Sequence, residues 1–223
     1  PFFRPSYFPH SGVSTFFLNE SPRRRELSFR LINSTLHYAK GWEADFVVTH
    51  LVWKDDSKNR KKVMSLVSNT RSLFCELSDK YDVPINIEFG GYSGYFHKPI
   101  QFVEFVSEHP LLGICIDIGH TFLIAKVRNR NFLNDIETMA PHTKSIHVWN
   151  TKDLNHCKKH NHVPVHPSQK ISNGWIDIKK TLEIILSCNK DCDIVFEYNH
   201  TYYDKIPDQV KEGMEWVKDI VYS

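Results

Sequence analysis

From about residue 21 onward the chain alternates between two hydrophobic rhythms. Short runs in which nearly every position is apolar and often β-branched are separated by longer stretches where apolar residues recur every three or four positions, the signatures of buried strands and amphipathic helices. Ser21-Pro22 opens a helix that carries Leu27, Leu31 and Ile32 and stops at Gly41. Asp45-FVVTH-LVW follows as a strand. Val63, Leu66, Val67, Leu73, Phe74 and Leu77 then mark a long helix before the strand Pro84-INIEFGG. Phe102, Val103, Phe105 and Val106 predict a helix, Gly113-ICIDIGH a strand, Phe132 to Met139 a shorter helix and Lys144-SIHVWN a strand. Beyond a polar stretch from Thr151 to Gly174, Ile176 to Leu186 predict a helix, Asp193-IVFEYNH a fifth strand, and Pro207 to Val221 a closing helix.

Strict alternation of strand and helix implies parallel strands flanked by helices. Near-continuous apolar strands that finish in polar residues suit an α/β barrel of the (β/α)8 kind better than an open sheet. Five strands fall short of eight. The first twenty residues are aromatic and loop-like, so residues 1–223 read as a single barrel domain that looks truncated at its N-terminus. The stretch from Thr151 to Gly174, rich in His, Lys and Asn, reads as an active-site loop.

Composition narrows the class. Of 223 residues, 41% are hydrophobic and 24% charged, enough apolar surface for one globular core. Lys and Arg number 28 against 26 Asp and Glu, and the resulting +2 lacks the strong basic excess that would announce a nucleic-acid partner. No apolar run approaches the ~18 residues of a membrane span and the N-terminal residues lack the build of a signal peptide, so the expectation is a soluble protein without a membrane partner. Five cysteines without a CxxC pair argue against a disulfide framework and a thiolate zinc site, and favour a reducing, cytoplasmic setting.

The strand ends carry the candidate chemistry. His50 follows FVVT, Glu88 follows INI, Asp117 follows ICI, His147 follows KSI and Glu197 follows IVF. One such residue alone is ordinarily a hydrogen-bonded side chain or a helix cap. Five at corresponding strand ends support one another, because apolar strands have no structural need to finish in charge and unpaired buried charge is costly. In a barrel these ends share one face. Carboxylates with imidazoles suit Zn²⁺, Mn²⁺ or Co²⁺ and suit Mg²⁺ less well. A divalent ion is the expected cofactor.

These segments resemble a family, the xylose isomerase-like TIM barrels, which include sugar isomerases and epimerases and the endonuclease IV type of abasic-site nuclease. VVTHLVW, INIEFGG, ICIDIGHT, SIHVWNTKD and VFEYNH look like its successive motif strands, PRRRELSFRLINSTLHYAKG like its characteristic helix, and the opening PFFRPS like the tail of its His-Ala-Pro strand end, which would place the first three strands upstream of residue 1. The resemblance implies that Glu88, Asp117, His147 and Glu197 hold the metal. It implies also that His120 contacts substrate in the epimerases or binds a further zinc in the nucleases. His50 and His166 match two more nuclease ligands, but the aspartate expected two residues before His166 is Pro164.

Two activities follow. The first is isomerisation or epimerisation of a sugar or sugar phosphate, with proton transfer through an enediolate by Glu88 and Glu197, and with His120 orienting the substrate. There His50, Trp53, Trp149 and His166 would bind substrate, with Phe89 as a further wall. The alternative is zinc-dependent phosphodiester hydrolysis at abasic DNA, which needs more than one ion and is the only reading with a nucleic-acid partner. The +2 charge and the missing aspartate count against it. The sequence names neither the sugar nor the ion, and leaves open a homo-oligomer.

Overall fold

The computed structural model describes residues 15–51, 58–90, 93–198 and 207–223. The chain divides into two compact units, residues 1–113 and 114–223. Trp53 and the N-terminal PFFRPS lie outside the described residues.

The first unit begins with α1 (Pro22–Gly41), whose Pro22 sits in the first turn where a missing N–H costs nothing. The Arg25 guanidinium ties that start down, donating to the carbonyls of Asn19 and Glu20. β1 (Val47–Thr49) and β2 (Ile85–Glu88) flank α2 (Arg60–Tyr81) and pair in parallel, with Val48 opposite Asn86. Asn59 caps α2 by accepting from the Lys62 N–H, and Asp82 ends it in the left-handed conformation. α3 (Pro99–Val106) follows. The helical periodicity of these segments buries one aromatic seam. The Phe74 ring meets Phe17 edge-on at 5.0 Å and Phe105 at 6.1 Å, while Phe102 packs on Phe89 at 4.9 Å and on Phe96 at 4.7 Å. Arg71 of α2 donates to the carbonyls of Phe105 and Ser107, satisfying groups that the end of α3 leaves open.

β3 (Leu112–Asp117) leads into the second unit, where it pairs in parallel with β4 (Thr143–Val148), and β4 with β5 (Asp193–Phe196). The helices are α4 (Ile118–Val127), α5 (Phe132–Met139), α6 (Leu154–His160), α7 (Ile178–Cys188) and α8 (Asp208–Tyr222). Asn131, Asp153 and Asp177 cap α5, α6 and α7 through their side chains. Within each unit paired strands follow chain order. The five expected strands are all present. Two helices were not anticipated, α4 immediately after β3 and α6 inside the polar stretch after β4. Among the described residues no helix is long and apolar enough to cross a membrane.

Alternation along the strands decides what reaches the site. In β2, Asn86 and Glu88 share one face and Ile85 and Ile87 the other, and all four are buried. In β3, Cys115 and Asp117 oppose Ile114 and Ile116; in β4, Ser145 and His147 oppose Ile146 and Val148. Each polar strand end thus sits one pleat above a small polar side chain.

Phe74 is fully buried between two rings. Phe74→Ala is expected to cost about 3–5 kcal/mol, read as a lowered denaturant midpoint at unchanged slope. A loss under about 1 kcal/mol would show that α2 is not seated by this seam.

Candidate metal and acid–base centre

In the first unit the end of β1 brings His50 beside Glu88. Its Nε2 lies 3.4 Å from Glu88 Oε2, and both side chains are nearly excluded from solvent.

The second unit is organised around Asp117, whose side chain is completely buried. Asp117 ends β3 and caps α4, so Oδ1 accepts from the His120 N–H at 2.6 Å, while the Thr121 hydroxyl donates to its carbonyl. The Trp149 indole N–H reaches both carboxylate oxygens at 2.8 Å. The cap fixes where His120 emerges, one turn along, with Nε2 3.9 Å from Asp117 Oδ2. The parallel register sets Asp117 opposite His147, and His147 Nδ1 lies 4.0 Å from Asp117 Oδ2 and 3.2 Å from Glu197 Oε2. Asp117, His120, His147 and Glu197, expected at one site from the sequence, are therefore brought together here.

Burial and charge act on them unequally. Burial, then the nearby Glu197 charge, push the Asp117 carboxyl up. Burial pushes Glu197 up too, but its hydrogen bond and charge contact with His147 outweigh that and hold it down at about 2. For His147 burial disfavours the imidazolium, yet Cys115, Glu197 and Asp117 together raise it. Burial lowers His120 to about 4, which keeps a neutral imidazole. Two carboxylates thus crowd one imidazole, and the raised affinity of His147 for a proton reflects the negative charge around it. Carboxylate and imidazole donors of this kind fit a borderline divalent cation.

Two expected residues are placed differently. Trp149, expected as a pocket wall, is fully buried and engages Asp117 with its indole N–H; a sugar has no access to its ring. His166 faces Glu212 of α8 at 3.2 Å and Ser168 at 2.7 Å. Sequence reasoning missed His162. Its ring stacks on Trp149 at 4.0 Å and 11°, and its Nδ1 lies 3.9 Å from Glu197 Oε2. His162 also meets the His120 ring edge-on at 5.3 Å. Four histidines crowd residues 156–166, and nothing in that aperiodic stretch singles out one; the bridge of Val163 to Asn150 does so in space.

Residues 6–220 match the profile of the xylose isomerase-like TIM barrel. The chain belongs to that family. Its fold class is α/β, of the TIM-barrel kind. No curated relative matches the sequence. Among solved structures, apo 3-keto-D-glucoside 4-epimerase (YcjR) from E. coli superposes with a TM-score of 0.67 at 13% identity, covering 94% of this chain and 77% of that one. L-ribulose 3-epimerase gives 0.67 at 9% identity over 94% and 73% of the two chains. The IolI protein with a bound zinc atom gives 0.70 at 16% identity over 94% and 74%. At such identities the likeness is one of fold. As a xylose isomerase-like barrel the chain has structural neighbours that include sugar epimerases.

Gly119 opens α4 against the Trp149 indole, and a Cβ there would collide with the ring carbons. Gly119→Ala is expected to cost about 1–3 kcal/mol and to push the indole off Asp117, measured by denaturant melts and Trp149 fluorescence. A neutral substitution would mean that this contact does not position the indole.

Proposed function

We propose that the protein is a divalent-metal-dependent isomerase or epimerase of a sugar or sugar phosphate. The observation that carries the reading is the gathering of His147 and Glu197, from the ends of β4 and β5, beside the fully buried Asp117 carboxylate at the end of β3. Membership in the xylose isomerase-like family supports it, as do the epimerase neighbours and the zinc atom in the IolI protein. On this reading Glu88, Asp117, His147 and Glu197 hold the ion. When bound, the ion polarises a carbonyl and the adjacent hydroxyl of the substrate, acidifying the carbon between them.

The chain's own residues do the rest. One carboxylate of the pair Glu88 and Glu197 takes the proton from that carbon, leaving an enediolate, and the other returns a proton from the opposite side. Glu197, which follows β5 and stands 3.2 Å from His147, is proposed as the base. His120 is kept neutral by burial and lends a hydrogen bond to a substrate hydroxyl. His50, beside Glu88, is proposed to contact substrate, with Trp53 and the rim of the site. The substrate is a small polar sugar, and the reaction needs no redox cofactor because the proton lost at one carbon is regained at it or its neighbour.

The test is proton exchange. Incubated in D₂O with a panel of ketoses and ketose phosphates, the metal-loaded protein is expected to wash deuterium into the carbon beside one carbonyl, read by NMR. Glu197→Gln should lower that exchange by about 10²- to 10⁴-fold with the melting temperature nearly unchanged. Exchange that survives the substitution would remove Glu197 from the chemistry, and cleavage of abasic-site DNA without any exchange would favour hydrolysis instead.

A further inference from the structure

Much of the second unit's site rests on a loop with no periodic structure. His162 stacks on Trp149 and approaches Glu197, yet it lies between α6 and the turn before α7. Three fastenings fix its downstream neighbours. The Asn150 N–H donates to the Val163 carbonyl at 2.8 Å. The buried Asn150 side chain holds Gln169, which in turn accepts from the His166 N–H and donates to the Pro164 carbonyl. The third fastening comes from α8, far along the chain.

Gly213 lies in the interior of α8, where glycine weakens a helix relative to alanine. Its position explains it. A Cβ at 213 would collide with the carbonyl oxygen of Val165 and stand 3.0 Å from its carbonyl carbon, so only a glycine lets α8 lie directly on the loop backbone. The preceding residue adds a polar grip on the next loop residue. Ser168 donates its N–H to His166 Nδ1 at 3.2 Å, and Nε2 lies 3.2 Å from Glu212 Oε2. Adjacent residues of α8 thus hold adjacent residues of the loop, three and four positions beyond His162.

We infer that Gly213 and Glu212 are positioning residues of the active site, acting through Val165 and His166 to set His162 against Trp149 and Glu197. This rests on the proposed isomerase or epimerase reading for its effect on turnover. It assigns His166 to fastening the loop rather than to contacting substrate. Of the two grips, the glycine contact is the stronger. Glu212 is 63% exposed and its pair with His166 is screened by water, whereas the backbone-on-backbone fit at Gly213 leaves nothing flexible to yield.

The experiment uses protein with ¹³C-labelled histidine. In the wild type the His162 ring protons, assigned by their loss in His162→Ala, should resonate upfield because they lie over the Trp149 ring. Gly213→Ala should move them back toward ordinary histidine positions. Where exchange activity is established, kcat should fall about 10- to 100-fold with a much smaller change in KM, the consequence of a misplacement on the order of 1 Å. Glu212→Ala should shift the same resonances in part, and Glu212→Gln, which keeps the side chain's volume and an oxygen beside Nε2, should restore most of what it loses. Should Gly213→Ala not fold, the Glu212 pair carries the same test. Unmoved His162 resonances in Gly213→Ala and Glu212→Ala would overturn the positioning claim whatever the activity. Moved resonances with unchanged kcat would overturn the claim that the position serves turnover. A protein with no exchange activity but moved resonances would leave the positioning standing and put the failure in the proposed reaction.

Discussion

A carboxylate with no solvent contact has to be satisfied by the protein, and Asp117 sets that requirement for the second unit. Two of its needs are met locally, by the N–H of His120 at the start of α4 and by the indole of Trp149 from the end of β4. The arrangement propagates outward. Placing the indole there demands a glycine at 119, and covering its exposed face falls to His162. Because α4 starts on Asp117 itself, the same side chain ends a strand, starts a helix and faces His147. A change at Asp117 would therefore be felt in local structure and in charge at once.

The remaining charge is balanced less evenly. His147 stands between Asp117 and Glu197, and the carboxylates share its positive character unequally, with Glu197 held low and Asp117 pushed up. A buried cluster of this composition is a poor device for stability, since its desolvation rivals its attraction. Its retention at the strand ends makes sense when the cluster serves an ion and a proton, which is the role the family reading gives it. The first unit shows a smaller version of the same pairing in His50 and Glu88, placed by the register of β1 on β2.

How much of this was legible in the sequence depends on periodicity. The strands were readable because runs such as INI and ICI are apolar on both faces and then break to a charged residue, so the strand ends and their ligand-type residues came together from one signal. α4 was hidden for the opposite reason. Ile118, Leu123, Ile124 and Ala125 are buried around most of its circumference, so the segment shows no polar face, and its start signal, Asp117, doubled as a strand end. Trp149 looked like a rim aromatic, since nothing local reveals that its N–H is directed to a carboxylate 32 residues earlier. His162 and Gly213 were out of reach altogether, for their roles exist only through contacts between a loop and a helix some fifty residues apart.

The central claim is that these strand-end residues hold one divalent ion, and metal content per chain measures it most directly. Native mass spectrometry and elemental analysis of the purified protein should find one divalent ion per chain. Asp117→Ala should abolish that occupancy, and its apo-protein should melt below the wild-type apo-protein because the α4 cap and the acceptor of the Trp149 indole are lost. Full occupancy in Asp117→Ala, or two or three ions per chain in the wild type, would contradict the account.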